Sequence, residues 1–204
     1  MSISTDICNM ALSHLGVGQT IQNAETGTEQ EAKVCRTFYA TCLASTLSDF
    51  DWSFARRYQA LNLVEASPNS EWGYAYRYPT DCVSVKKILS GVRNDTRQSR
   101  VSYAVGEDDA GKLIYSDMDD AIIQYTKLVE DTTKYTATFM EAFSMKLAFY
   151  IAPRISAGDP FKRQQAVAAM YNMTIMKAKA QQANEEQPDQ DPLSEFTRTR
   201  NGDI

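Results

Sequence analysis

The sequence has 204 residues, a net charge of −5 at neutral pH and 43% hydrophobic residues, so the chain is long enough to bury a core. An acidic balance is not typical of proteins that wrap nucleic acid by neutralising its phosphates. No apolar run approaches the roughly 20 residues of a membrane helix. The opening MSISTDICNM lacks a signal-peptide pattern, so we expect a cytosolic protein without membrane contact.

Two helices are predicted before residue 50. Ile3, Ile7 and Met10 share a face of the first helix, which Gly16 should end. A second helix is predicted from about residue 29 to residue 48, because its apolar positions recur every three or four residues.

The hydrophobic period changes to two after residue 50, which is the spacing of strands. Phe50, Trp52 and Phe54 alternate, as do Leu61 and Leu63, which predicts a strand leaving the second helix. A second alternating row places four rings on one face of a predicted strand, at Trp72, Tyr74, Tyr76 and Tyr78. These rings suit the core of the β segment, a protein interface or a base-stacking surface, and the nearby Glu71 and Asp81 disfavour the last.

Further short strands are predicted up to about residue 129, including a hairpin over GEDDAGKLIYSD. The helical period returns at Thr136, and Pro153 should kink or end that helix. Asp159 can cap a last helix, with Pro160 at its first position.

These elements predict an α+β fold that is mainly a helical bundle. Two N-terminal and two C-terminal helices, about 3–49 and 136–184, should pack as pairs around a central antiparallel β insertion, about 52–129. Residues 1–184 would form a single domain. Residues 185–204 are polar and contain two prolines, which predicts a flexible C-terminal tail.

The sequence offers little catalytic chemistry. It contains no dinucleotide-binding or phosphate-binding glycine motif, no nucleophile elbow and no HExxH motif, so we predict no catalytic, cofactor-binding or metal residues. The four scattered cysteines and the single histidine, His14, do not suggest a zinc site. Two acidic groups are interpreted as solvated turns: Glu107, Asp108 and Asp109, and Asp117, Asp119 and Asp120.

Three segments together resemble a family of tailed-phage proteins. They are ICNMALSHLG, then EAKVCRTFYATCLASTLSDFDWSFARRYQALN, then YAYRYPTDCVSV. That family has a CNxALxxLG-like opening helix, a long helix ending in a W-x-F-A turn and a Y-x-x-P-x-D-C strand. It includes head-to-tail adaptors similar to tail tubular protein A of podoviruses. The segment IYSDMDDAIIQYTKLVEDTTKYTATFMEAFSMKLAFYIAPRI resembles the second half of that family, a strand followed by paired helices. The resemblance covers roughly residues 3–184, with Tyr78 where the family often has leucine.

The resemblance implies a non-enzymatic virion protein of the phage neck, assembled in the host cytoplasm. Such adaptors form a ring, typically twelvefold, below the portal protein, and the ring extends the DNA channel and docks the tail nozzle. Genomic DNA passes through the lumen without specific binding. Either acidic group could line that lumen and repel phosphates. The C-terminal segment of such proteins commonly contacts the portal or a neighbouring subunit, which assigns Phe196, Arg198 and Arg200 to that contact.

Two alternatives remain open at this stage. Paired carboxylates can serve a cell-wall hydrolase, which some neck proteins are suspected to be. A stopper or tail-completion protein would keep the structural role but lie farther from the portal.

Overall fold

The computed structural model describes residues 3–92, 99–156 and 158–185. These residues form an α+β fold with four helices and two antiparallel sheets. The helices are α1 (Ile3–His14), α2 (Gln30–Asp49), α3 (Ala137–Ile155) and α4 (Pro160–Glu185). The strands are β1 (Arg56–Ala60), β2 (Leu63–Ala66), β3 (Tyr74–Arg77), β4 (Cys82–Ile88), β5 (Tyr103–Asp108), β6 (Gly111–Ser116) and β7 (Ile122–Lys127).

The helix ends follow local sequence signals. Gly16, with φ of 68°, takes the left-handed conformation that ends α1. The Thr136 side chain accepts a hydrogen bond from Phe139 N at the start of α3. Asp159 caps α4 in the same way, accepting from Phe161 N at 3.0 Å, as predicted.

The prediction of paired terminal helices is wrong, because α3 lies at the centre of the helical layer. Among the described helices, α1, α2 and α4 each make their extensive helix contacts with α3. The sequence pattern indicated only one apolar stripe on α3. Small buried residues on its other faces let three neighbouring helices approach closely. These residues are Ala142, Ser144, Ala148 and Ala152.

The prediction of one central β insertion on a helical bundle is also wrong, because two separate sheets fill the middle of the chain. One sheet has the strand order β1-β7-β4, and the other has the order β2-β3-β6-β5. The first sheet packs against the helices, because β4 and β7 contact α2. The hairpin predicted over GEDDAGKLIYSD is confirmed by the β5–β6 pairing.

A strand does follow α2, but it begins at Arg56, later than the alternation of Phe50, Trp52 and Phe54 predicted. Ser53–Ala55 is a 3₁₀ turn, and the aromatic rings around it pack into the helical core. Trp52 Nε1 donates to Thr46 O at 2.9 Å, and the Trp52 ring meets Phe139 edge-on at 5.0 Å between centroids. The alternation therefore reflects packing against α3.

The buried apolar residues form two clusters. The larger cluster, the helical core, contains residues of all four helices and Trp52. The smaller cluster, the sheet core, joins the two sheets and includes Tyr76, Ile114, Ile123 and Tyr125. Polar side chains link the α2 end to the first sheet, where Asp51 Oδ2 accepts from Arg56 at 3.0 Å and from Gln124 at 3.3 Å.

Candidate functional site

The residues of the opening motif hold the first loop. Asn9 accepts from Ile21 N at 2.8 Å and donates to Ile21 O at 3.1 Å, which fixes the chain after α1. Cys8 and Leu12 of the same motif are buried in the helical core. These residue types are therefore explained by packing and hydrogen bonding.

The residues of the strand motif have a similar role. Tyr76 donates its hydroxyl to Met118 O at 2.6 Å. Asp81 contacts the Tyr125 hydroxyl at 3.0 Å and forms an ion pair with Lys127 at 3.2 Å. Burial raises the pKa of Asp81, but the hydrogen bonds from Lys127 and Tyr125 outweigh it and hold that pKa below its ordinary value.

The four aromatic residues of the second alternating row have different environments. Tyr76 is 1% exposed and lies within the sheet core. Tyr74 and Tyr78 are half-buried against that cluster, and the Tyr74 and Tyr76 rings are 6.1 Å apart. Trp72 precedes β3 and is half-buried. The strand is thus shorter than the aromatic row.

The two acidic groups lie at opposite ends of β6. Glu107, Asp108 and Asp109 are at the β5–β6 turn, whereas Asp117, Asp119 and Asp120 follow the end of β6. Six residues of strand span about 20 Å, so the groups form separate surfaces. All of these carboxylates except Asp108 belong to exposed residues.

Asp108 differs from its neighbours because it is paired. The Arg77 guanidinium donates to both of its oxygens, at 2.8 and 2.9 Å. These hydrogen bonds hold the pKa of Asp108 below its ordinary value. Glu107 lies opposite Lys112 in the strand register.

The outward side of α4 carries an apolar strip that the sequence interpretation did not single out. Met173 and Met176 are 61% and 69% exposed, and the strip is completed by exposed alanines. We define the α4 outer face as Ala166, Ala169, Met173, Met176 and Ala180. Spacings of three and four residues place them on the side opposite the buried Val167, Thr174 and Ala178. The regular spacing of these alanines and methionines, separate from that of the buried residues, could have indicated this face from the sequence.

One cleft lies beside the end of α4, and a second cleft adjoins it at Phe54. The helix-end cleft, of about 160 Å³, is lined by Ala178, Gln181, Gln182 and Glu185 of α4 together with Phe50, Trp52, Ser53, Phe54, Thr136 and Thr138. The basic cleft, of about 460 Å³, shares Phe54 with it. Its other lining residues are Arg56, Arg57, Lys127, Leu128, Val129, Glu130, Asp131 and Lys134.

The basic cleft carries one cation without an ion-pair partner. Arg56 pairs with Asp51, Lys127 with Asp81 and Lys134 with Asp131, at 2.9, 3.2 and 3.2 Å. Arg57 is exposed and forms no ion pair with any described residue. With the ion-pair partners Asp51 and Asp81 included, four cations and four carboxylates surround the cleft. Its charges are therefore balanced overall.

Three of the described carboxyls have shifted pKa values. The shifted carboxyl pKa values, those of Asp81, Asp108 and Asp131, all lie below the ordinary value, whereas a general acid needs a raised pKa. Within the described ranges, no three His, Cys, Asp or Glu side chains are grouped to hold a metal ion. No helix in that part of the chain has the length and apolarity to cross a membrane.

Phe196, Arg198 and Arg200 lie outside the described residues, as do residues 186–204 of the predicted tail. No protein-family model matches this chain, and no curated protein matches its sequence.

Proposed function

We propose that this protein is a head-to-tail adaptor of a tailed phage. Copies of the chain form a ring below the portal, extend the DNA channel and dock the tail. The proposal starts from the resemblance of the three sequence segments to such adaptors. Its support in the structure is that the motif residues serve packing, while large apolar side chains remain on an outer helix face.

The observation that carries the proposal is the exposure of the α4 outer face. Soluble monomers seldom expose contiguous apolar strips unless a partner covers them. Methionine adapts to irregular neighbouring surfaces, and alanine lets a second backbone approach closely. We infer that a neighbouring copy covers this face in the ring, because a ring buries the same patch on every subunit.

The lumen assignment can be narrowed to one acidic group. Asp117, Asp119 and Asp120 form no ion pair with described residues, whereas Asp108 is neutralised by Arg77. Uncompensated carboxylates repel phosphates more strongly than paired ones, so this loop is the better candidate for the channel wall. A channel map that places this loop on the outer rim would contradict the assignment.

Loss of the protein in the phage that encodes it tests the proposal. Without an adaptor, heads should package DNA but remain separate from the tails. Addition of the purified protein should then restore complete particles with heads joined to tails. A cell-wall hydrolase defect would instead leave complete virions that fail at infection. Complete tailed virions in the absence of this protein would therefore overturn the adaptor proposal.

A further inference from the structure

We propose that Cys8 of α1 and Cys35 of α2 form a disulfide when a small hydroperoxide oxidises the folded protein. This inference does not depend on the adaptor function. It rests on the contact between the two thiols, on the hydrogen bonds that hold α1 and α2 around them, and on a pocket that reaches Cys8.

The structure brings together two cysteines that lie on different helices and far apart in the sequence. All four cysteines are free thiols, and the thiols of Cys8 and Cys35 share a hydrogen bond. Both side chains are fully buried in the helical core. Rotation about the Cα–Cβ bonds can turn two sulfur atoms in contact towards the geometry of a disulfide.

Hydrogen bonds to the backbone of Ala24 hold the two helices in this position. Thr5 Oγ1, about one turn before Cys8 on α1, accepts from Ala24 N at 3.1 Å. Arg36 Nε, next to Cys35 on α2, donates to Ala24 O at 3.2 Å. The same residue thus links the two segments that carry the cysteines, which keeps the thiols together.

The contact between the thiols also makes one of them the better nucleophile. The hydrogen bond from Cys8 lowers the pKa of Cys35, although burial acts in the opposite direction. The same hydrogen bond raises the pKa of Cys8, as does burial. Because the thiolate is the nucleophilic form, Cys35 starts the reaction and Cys8 supplies a proton.

A pocket gives a small oxidant access to the pair. It has a volume of about 220 Å³, and its wall includes Cys8 of α1 together with Arg36 and Tyr39 of α2. It therefore lies over the contact between the two helices. A cavity of this volume holds water-sized molecules, and hydrogen peroxide is only slightly larger than water.

The reaction consumes one peroxide molecule. The Cys35 thiolate attacks one peroxide oxygen, the O–O bond breaks, and the leaving hydroxide takes the thiol proton of Cys8, which gives water and a sulfenic acid on Cys35. The Cys8 thiolate then attacks the Cys35 sulfur and forms the S–S bond. The hydroxide released in this step takes up the proton that Cys35 had lost and becomes the second water.

The fold disfavours the competing pairs. Cys35 and Cys42 are seven residues apart on α2, so their Cα atoms are about 10 Å apart, too far for a disulfide. Cys82 lies on β4 and packs against the sheet core instead of the helical core. The unfolded chain should behave differently, because there Cys35 and Cys42 close the shortest loop.

Hydrogen peroxide treatment of the reduced full chain tests the proposal, with alkylation of the remaining thiols under denaturing conditions and peptide mass spectrometry. We expect the folded protein to lose about 2 Da and to leave Cys42 and Cys82 open to alkylation. The Cys8–Cys35 peptide should exceed any other linked pair by about fivefold or more. The same treatment in urea should make Cys35–Cys42 the main pair.

Matched variants make the result specific. Cys42→Ser removes the other buried cysteine of α2 and should leave the yield of the Cys8–Cys35 product unchanged. Cys35→Ser should abolish this product and leave Cys8 open to alkylation. Circular dichroism verifies that each variant is folded, and the comparison of folded and urea-treated wild-type protein does not depend on either variant.

Three results would overturn the proposal. The first is the absence of the Cys8–Cys35 peptide from the folded protein under conditions that oxidise the chain in urea. The second is the same distribution of linked pairs with and without urea. The third, from a mixture of isotope-labelled and unlabelled protein, is a Cys8–Cys35 link that forms only between different chains.

Discussion

Gln164 on α4 donates its side-chain amide to Phe149 O on α3 at 3.1 Å. Phe149 O is the carbonyl four residues before Pro153, and proline has no N–H to donate to it. Pro153 was expected to kink or end α3, which in fact continues to Ile155. A neighbouring helix thus supplies the donor that the proline lacks.

Gln164→Ala should lower the free energy of unfolding by about 1 kcal/mol, because it removes the only side-chain donor described for this carbonyl. In a Pro153→Ala background, the new backbone N–H at that position can donate to Phe149 O, so the same substitution should cost much less. Urea denaturation of the four proteins of this double-mutant cycle measures the coupling. Equal costs in both backgrounds would show that Gln164 does not replace the missing donor.

Gly16→Ala should destabilise the contact between α1 and α4. Gly16 has a positive φ, which strains alanine, and an added Cβ would displace the guanidinium of Arg163 from Leu15 O, to which it donates. We expect a loss of about 1–2 kcal/mol in the free energy of unfolding. Gly18→Ala is the matched control, because Gly18 has open space and no positive φ, and it should be nearly neutral. Similar losses in both variants would contradict this account.

His14 should titrate below its ordinary pKa of 6.5. Burial lowers the pKa of His14, and Glu141 only partly offsets this. Ser144 Oγ donates to Glu141 O, so His14 Nε2 donates to Ser144 Oγ at 3.3 Å, which fixes the neutral tautomer. Because this is the only histidine, its proton resonance can be followed by NMR without assignment.

The sign of the resulting pH dependence follows from linkage. As pH falls below 6.5, the unfolded chain binds a proton before the folded chain does, so the free energy of unfolding decreases towards the folded pKa. The slope should not exceed about 1.4 kcal/mol per pH unit. His14→Gln should reduce the pH dependence of the free energy of unfolding between about pH 6.5 and pH 5, a range above that in which carboxyls titrate. If the pH dependence of the free energy of unfolding were unchanged in His14→Gln, His14 would not be its cause.

Met173→Glu should weaken ring assembly without unfolding the subunit. The side chain is 61% exposed, so the free energy of unfolding should change by less than about 0.5 kcal/mol. Burying a carboxylate in the subunit contact should weaken assembly by about tenfold or more. Met10→Glu places the same charge on an exposed methionine of α1 and should assemble normally. If Met173→Glu assembled normally, the α4 outer face would not be part of the subunit interface.

The sequence predicted local structure better than arrangement. Asp159 and Pro160 marked the start of α4 correctly, since capping depends on residues close in sequence. The pairing of Arg56 with Thr126 has no local signal, yet it places β1 beside β7 and creates the basic cleft. The ion pair between Asp108 and Arg77 of β3 likewise has no local signal in the sequence. Nor does the packing of α3 against three other helices.

The central claim is that this chain assembles beneath a portal. Light scattering of the purified protein, alone and after mixing with its cognate portal ring, tests it most directly. We predict a monomer alone and, after mixing, a stoichiometric shift to the summed mass of portal and adaptor ring, which gives the copy number. An unchanged portal mass at saturating protein would contradict the claim and favour a stopper or tail-completion protein.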